Sequence, residues 1–122
     1  MKDLEVLVKD FLEQLRSAPQ TVEFSDTMAV IDGAYQFKPT AFRNGAQVNE
    51  AGENDGSCKI LYFGQLHDLS EQEVLSCFGR YYREDVLKNP SGEDHQNIRN
   101  FMKTGWAGVE FQGVALKERE RC

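Results

Sequence analysis

Residues 40–59, TAFRNGAQVNEAGENDGSCK, are polar and rich in glycine, and they lack a helical period. They stand between two well-patterned helical segments. A connection this long inside a small domain is uncommon unless it is functional or mobile. The stretch is therefore the expected working surface. Thr40 to Arg43 reads as a short strand, and Asn44-Gly45 as a turn dipeptide after it. The best strand partner lies far along the chain at Gly108 to Gln112, where Val109 and Phe111 alternate with Glu110 and Gln112. An antiparallel pairing of these two segments is expected.

The rest of the pattern is helical. Leu4, Leu7, Val8, Phe11, Leu12 and Leu15 recur at spacings of three and four, the stripe of an amphipathic helix. Asp3 is its expected cap, and Pro19 ends it. Ser25 is the expected cap of a second helix, with Asp26 in its first turn and Met28, Ile31 and Tyr35 on one face. Pro39 stops that helix after Phe37 and Lys38. Ser57 is read as the cap of a third helix, Cys58 to His67. Ser70-Glu71-Gln72-Glu73 is a capping box that opens a fourth, running to about Leu87 before Asn89-Pro90. The third and fourth helices form an αα-hairpin, in which Gly64 and Gly79 mark close helix contact. Glu93 and Asp94 open a fifth helix, with Ile98, Phe101 and Met102 as its apolar side and Gly105 as terminator. Ala115 to Cys122 reads as a solvated tail. The expected fold is one domain over residues 1–122. It is mainly α (α+β), with about five helices, the αα-hairpin and a small two-stranded antiparallel ribbon.

Charge and composition narrow the function. Hydrophobic residues make up 40 % of the 122 residues, enough for a single core. The net charge of −6 argues against nucleic acid as a partner, because phosphate binding rests on Lys and Arg. No run of about 18 apolar residues suggests a membrane span, and the charged N-terminal helix lacks a signal-peptide core. The odd count of three cysteines suits free thiols in a reducing cytoplasm.

Several residues are candidates for chemistry. Gly52 to Lys59 places glycines before a helix N-terminus, a setting that suits an anion. Glu50, Glu53 and Asp55 oppose a phosphate there, and the Walker spacing is missing. The same three carboxylates lack the EF-hand pattern, so no metal and no cofactor is expected. Cys58, in a first helical turn, has the position of a thiol with a lowered pKa. His67, nine residues on in the same helix, is too far along the axis to act as its base, which leaves His95. His95 and Arg99 share one helix face, made polar by Gln96, Asn97 and Asn100. Arg80 and Arg83 are expected to pair with Glu84, Asp94 or the acidic loop.

Four blocks, FSDTMAVIDGAYQFKPTAFRNG, VNEAGENDGSCK, CFGRYYREDVL and HQNIRNFMKTGWAGVEF, resemble the HopJ type III effector family. They run in order from Phe24 to Phe111. The resemblance implies a small single-domain bacterial protein and brings no assigned activity or catalytic residues. The expected function is a binding module for a small polar ligand or a protein partner. Its site would draw on Arg43, Asn44, Asn49, Glu50, Asn54, Ser57 and Lys59, with His95 and Arg99. The alternatives are a secreted effector acting in a host cell and an enzyme using Cys58 or Glu50 with His95. Type III export reads a flexible leader, whereas the first helix begins at about residue three or four. The expected location is therefore the cytoplasm, with export to a host as the alternative.

Overall fold

The structure, a computed structural model, describes residues 4–119. The expected cap at Asp3 and the end of the tail, with Cys122, lie outside the described residues. Among the described residues there are five α-helices: α1 (Leu4–Ser17), α2 (Phe24–Ala34), α3 (Asp55–Leu66), α4 (Glu71–Cys77) and α5 (Gln96–Thr104). Five short strands accompany them: β1 (Tyr35–Phe37), β2 (Phe42–Asn44), β3 (Gln47–Asn49), β4 (Val109–Phe111) and β5 (Leu116–Glu118).

The apolar stripe of α1 does what its spacing dictates. Val8, Phe11 and Leu15 are buried, with Leu7 and Leu12 packed at the edge of the core. Ile31 of α2, Ile60, Leu61 and Phe63 of α3, Val74 of α4 and Phe101 of α5 complete that core. The Ser70 capping box forms as expected: Ser70 Oγ accepts from the Glu73 N–H at 3.1 Å, and Glu73 Oε1 from the Ser70 N–H at 2.8 Å. Gly64 lets α3 and α4 approach, since a Cβ there would lie 2.8 Å from Val74 and 2.9 Å from Trp106.

The expected pairing of β2 with β4 is present and antiparallel, with Phe42 opposite Phe111 and Asn44 opposite Val109. It belongs to a larger sheet, because β3 folds back on β2 through the Gly45 turn and gives the order β3-β2-β4. The polar stretch is thus mostly a hairpin followed by helix. A second ribbon replaces two expectations. Helix α2 stops at Ala34, and Tyr35 to Phe37 pair antiparallel with Leu116 to Glu118. The described part of the tail is therefore a strand, with Ala115 and Leu116 buried.

Helix starts also differ from expectation. Helix α2 is capped two residues earlier than expected, at Glu23 in place of Ser25, and the Glu23 N–H donates to Asp26 Oδ2 at 3.0 Å. Helix α3 begins at Asp55 after Asn54, and α5 at Gln96 after His95. Ser57, Glu93 and Asp94 therefore do not open helices. The fourth helix does not reach Leu87 as one piece. It breaks after Cys77, Gly79 takes a φ of +61°, and residues Tyr81–Val86 form a π-helical turn. A Cβ on Gly79 would lie 2.6 Å from the backbone nitrogen of Phe24, so this glycine serves both an unusual φ and a close backbone approach. The break turns Arg80 and Arg83 onto Glu23, at 2.9 and 3.0 Å, in place of the partners expected from sequence.

Candidate functional site

The N-terminal turns of α3 and α5 border one polar cleft of about 490 Å³. Asn54, Gly56 and Ser57 come from the start of α3, and His95, Gln96, Asn97 and Ile98 from the start of α5. Phe24, Phe78, Tyr81 and Gln47 close it. No side chain caps either helix, so first-turn N–H groups stand at the cleft with the positive ends of two helix dipoles. Asn54 and His95 both have left-handed backbones, with φ of 53° and 50°. Such values in non-glycine residues cost free energy that surrounding contacts must offset.

Those contacts are specific. Asn54 Nδ2 donates to Asn49 Oδ1 at 2.7 Å. Asn97, nearly buried on the cleft floor, donates to Asn49 Oδ1 at 3.0 Å. Its own Oδ1 accepts from Asn44 Nδ2 at 3.1 Å and Asn49 Nδ2 at 3.2 Å. Asn44 Nδ2 also donates to the Asn97 carbonyl at 2.7 Å. Four asparagines from β2, β3, the start of α3 and α5 thus form one amide network. Asn44 Oδ1 has no hydrogen-bond partner. Flipping that amide would set its oxygen against two other oxygens, so the Asn97 contacts fix its orientation.

His95 Nε2 lies 3.0 Å from Asp85 Oδ2 and 3.8 Å from Asp94 Oδ2, and its ring packs on Tyr81 with centroids 5.2 Å apart. Arg99 sits behind the cleft. Its guanidinium donates to the carbonyls of Asp94 (2.6 Å) and Asn89 (3.0 Å) and pairs with Asp94 Oδ1 at 2.6 Å. The Arg99 contact holds the Asp94 carboxyl below the usual carboxylate range. Because Arg99 uses Asp94 this way, Asp94 stays in the loop and α5 begins only after His95.

Of the residues expected at a site, Asn54, Ser57 and His95 line the cleft, and Asn44 and Asn49 support its floor. Four others are elsewhere. Arg43 faces Glu110 across the β2–β4 pair at 3.6 Å, and Lys59 reaches Asp32 at 2.8 Å. Glu50 is exposed and its N–H is taken by Glu53 at 2.9 Å, while Arg99 braces the loop. Asn97, Gln96, Gln47 and Tyr81 were not singled out as site residues. A signal existed at Asn97, a polar residue beside the inward Ile98, but its partners are 48 and 53 residues away.

Cys58 differs from expectation in its chemistry. It is 1 % exposed, and its Sγ–H donates to the Thr40 carbonyl at 3.6 Å. Burial pushes the thiol up to about 11, the reverse of the expected drop, so the reactive thiolate is scarce at neutral pH. Among the described residues no group of three His, Cys, Asp or Glu side chains is placed to hold a metal ion. No helix among them is long and apolar enough to cross a membrane.

Comparison with known proteins adds the family. The model of the HopJ type III effector protein family matches residues 8–116. The chain belongs to that family. Its fold is similar to the crystal structure of a protein of unknown function, VPA0580, with 54 % identity and a TM-score of 0.90. That match covers 91 % of this chain and 92 % of the other. No curated protein matches. In this HopJ family chain, the family match spans every residue that lines the cleft.

Proposed function

We propose that the chain is a binding module that seats a small polar ligand in the cleft between α3 and α5. The observation that carries this reading is the asparagine network. It fixes the cleft floor from four segments, and polar groups held rigidly before a ligand arrives lower the cost of binding it. The first-turn N–H groups supply donors, the amides of Asn54, Gln47 and Gln96 supply both donors and acceptors, and Tyr81 with Phe24 supplies apolar contact. Lys and Arg are missing from the lining, which suits a ligand of low charge. The enzyme alternative has less support, since Cys58 and Glu50 do not line the cleft with His95.

The test is an amide-resolved NMR titration with a panel of small amides, sugars and amino acids. The expected result is a saturable shift at Gly56, Ser57, Gln96 and Asn97, weakened at least tenfold by Tyr81→Ala. A panel that leaves these signals unmoved, or moves others, would refute the reading. The family description also supports action in a host cell after type III export. A translocation-reporter fusion tests it: signal in host cells supports export, and signal confined to the producing cell supports a cytoplasmic role.

A further inference from the structure

A second and larger hollow, of about 680 Å³, lies between α1 and the β1–β5 ribbon. We propose that it is a ligand site of its own, selective for a primary ammonium group carried on an apolar chain or ring. It rests on a different face of the fold from the polar cleft and shares no lining residue with it.

The apolar part of the ligand is matched by Val8, Leu12 and Ala34, which line the groove from α1 and the end of α2. Burying such a body is favourable by roughly 25 cal/mol per Å². The head group is chosen by the polar atoms. Tyr35 Oη and His67 Nε2 are 2.7 Å apart, and both residues line the groove. Burial lowers the His67 pKa below its ordinary value, which keeps the ring neutral at pH 7. With the neutral ring in its Nδ1–H tautomer, the Tyr35 hydroxyl donates to Nε2 and leaves its lone pairs for an incoming donor.

Charge points the same way. Glu13 and Glu118 line the groove against Lys9 and Arg16, and Arg16 is already drawn to Glu73 at 3.2 Å. Glu118 stands opposite Tyr35 in the β1–β5 register, and its charge acts on both Tyr35 and His67, with the Arg16 charge opposing it at His67. The Tyr35–His67 pair and Glu118 thus form an acceptor-rich corner beside an apolar wall. An ammonium fits this corner, and a carboxylate is repelled by it.

The probes are n-hexylamine, n-hexanol and n-hexanoate, titrated at millimolar concentration and pH 7 while amide shifts are followed by NMR. Hexylammonium is expected to saturate shifts at Ala34, Tyr35 and Glu118 while the cleft signals stay still. Glu118→Gln should weaken it by about fivefold, the scale of a partly exposed ion pair. If that variant disturbs the β1–β5 pairing, Tyr35→Phe, which removes the hydroxyl acceptor of the same corner, carries the test instead. Equal binding of hexanol or hexanoate, no saturable shift with hexylamine, or unchanged affinity in folded Glu118→Gln or Tyr35→Phe would each overturn the proposal.

Discussion

The polar cleft and the groove beside α1 are made by opposite means. The polar cleft is shaped by hydrogen bonds among side-chain amides from distant parts of the chain, and two left-handed residues are held at its rim. The groove beside α1 is shaped by packing of apolar side chains, with one Tyr–His pair as its polar element. A network of amides is directional, so removing one member strands the others. A packed wall is non-directional, so it loses contact area gradually. The cleft should therefore fail sharply under substitution and the groove softly.

Asn97→Ala is the severest way to test that contrast. It leaves Asn44 Nδ2 short of a side-chain partner and Asn49 short of two bonds, all buried, and about 3 kcal/mol of stability should go with them. Chemical denaturation measures this, and a loss under 1 kcal/mol would show that the network is slack. Gly64→Leu, at a residue that lines neither hollow, should cost about 3 kcal/mol through overpacking against Val74 and Trp106. A neutral outcome would mean the α3–α4 contact yields.

On the groove side, Tyr35→Phe should cost only about 1 kcal/mol, the net worth of one hydrogen bond. The same pair gives a pH test. The His67 pKa is lowered in the folded chain, so the unfolded chain binds a proton more readily. Its share of stability is whole above the unfolded value of about 6.5 and is lost as pH falls from there. Stability should decline as pH falls below about 6.5, and His67→Gln should flatten that decline. The smallest effect is reserved for Arg43→Ala. Arg43 and Glu110 are exposed and 3.6 Å apart, and Arg43 lies on the sheet face opposite Asn44. A change beyond about 0.5 kcal/mol would contradict that placement.

These contrasts also explain what the sequence made legible. The stripe of α1, the Ser70 capping box and the β2–β4 pairing rest on local period, adjacent residues or alternation, and each was readable. The breaks at Asn54, Gly79 and His95 were not. Gly79 is set by a remote partner, the backbone of Glu23 and Phe24, while Asn54 and His95 are set by side-chain bonds that no periodicity shows, Asn49 with Asn54 and Arg99 with Asp94. The β1–β5 ribbon was hidden for a similar reason, since Tyr-Gln-Phe continues a helical pattern until Leu116 to Glu118 compete for it. At the site, the hairpin asparagines stood out by composition. Tyr81 and Asn97 became site residues only through tertiary placement.

The lone tryptophan of the chain gives this fold a built-in reporter. Trp106 Nε1 donates to the Leu69 carbonyl at 2.9 Å, its ring meets Phe101 edge-on, and it lines neither hollow. Its emission should shift to the red when the α3–α4–α5 junction opens and stay constant when either hollow fills. Fluorescence would then separate loss of the scaffold from occupancy of its cavities without any added label.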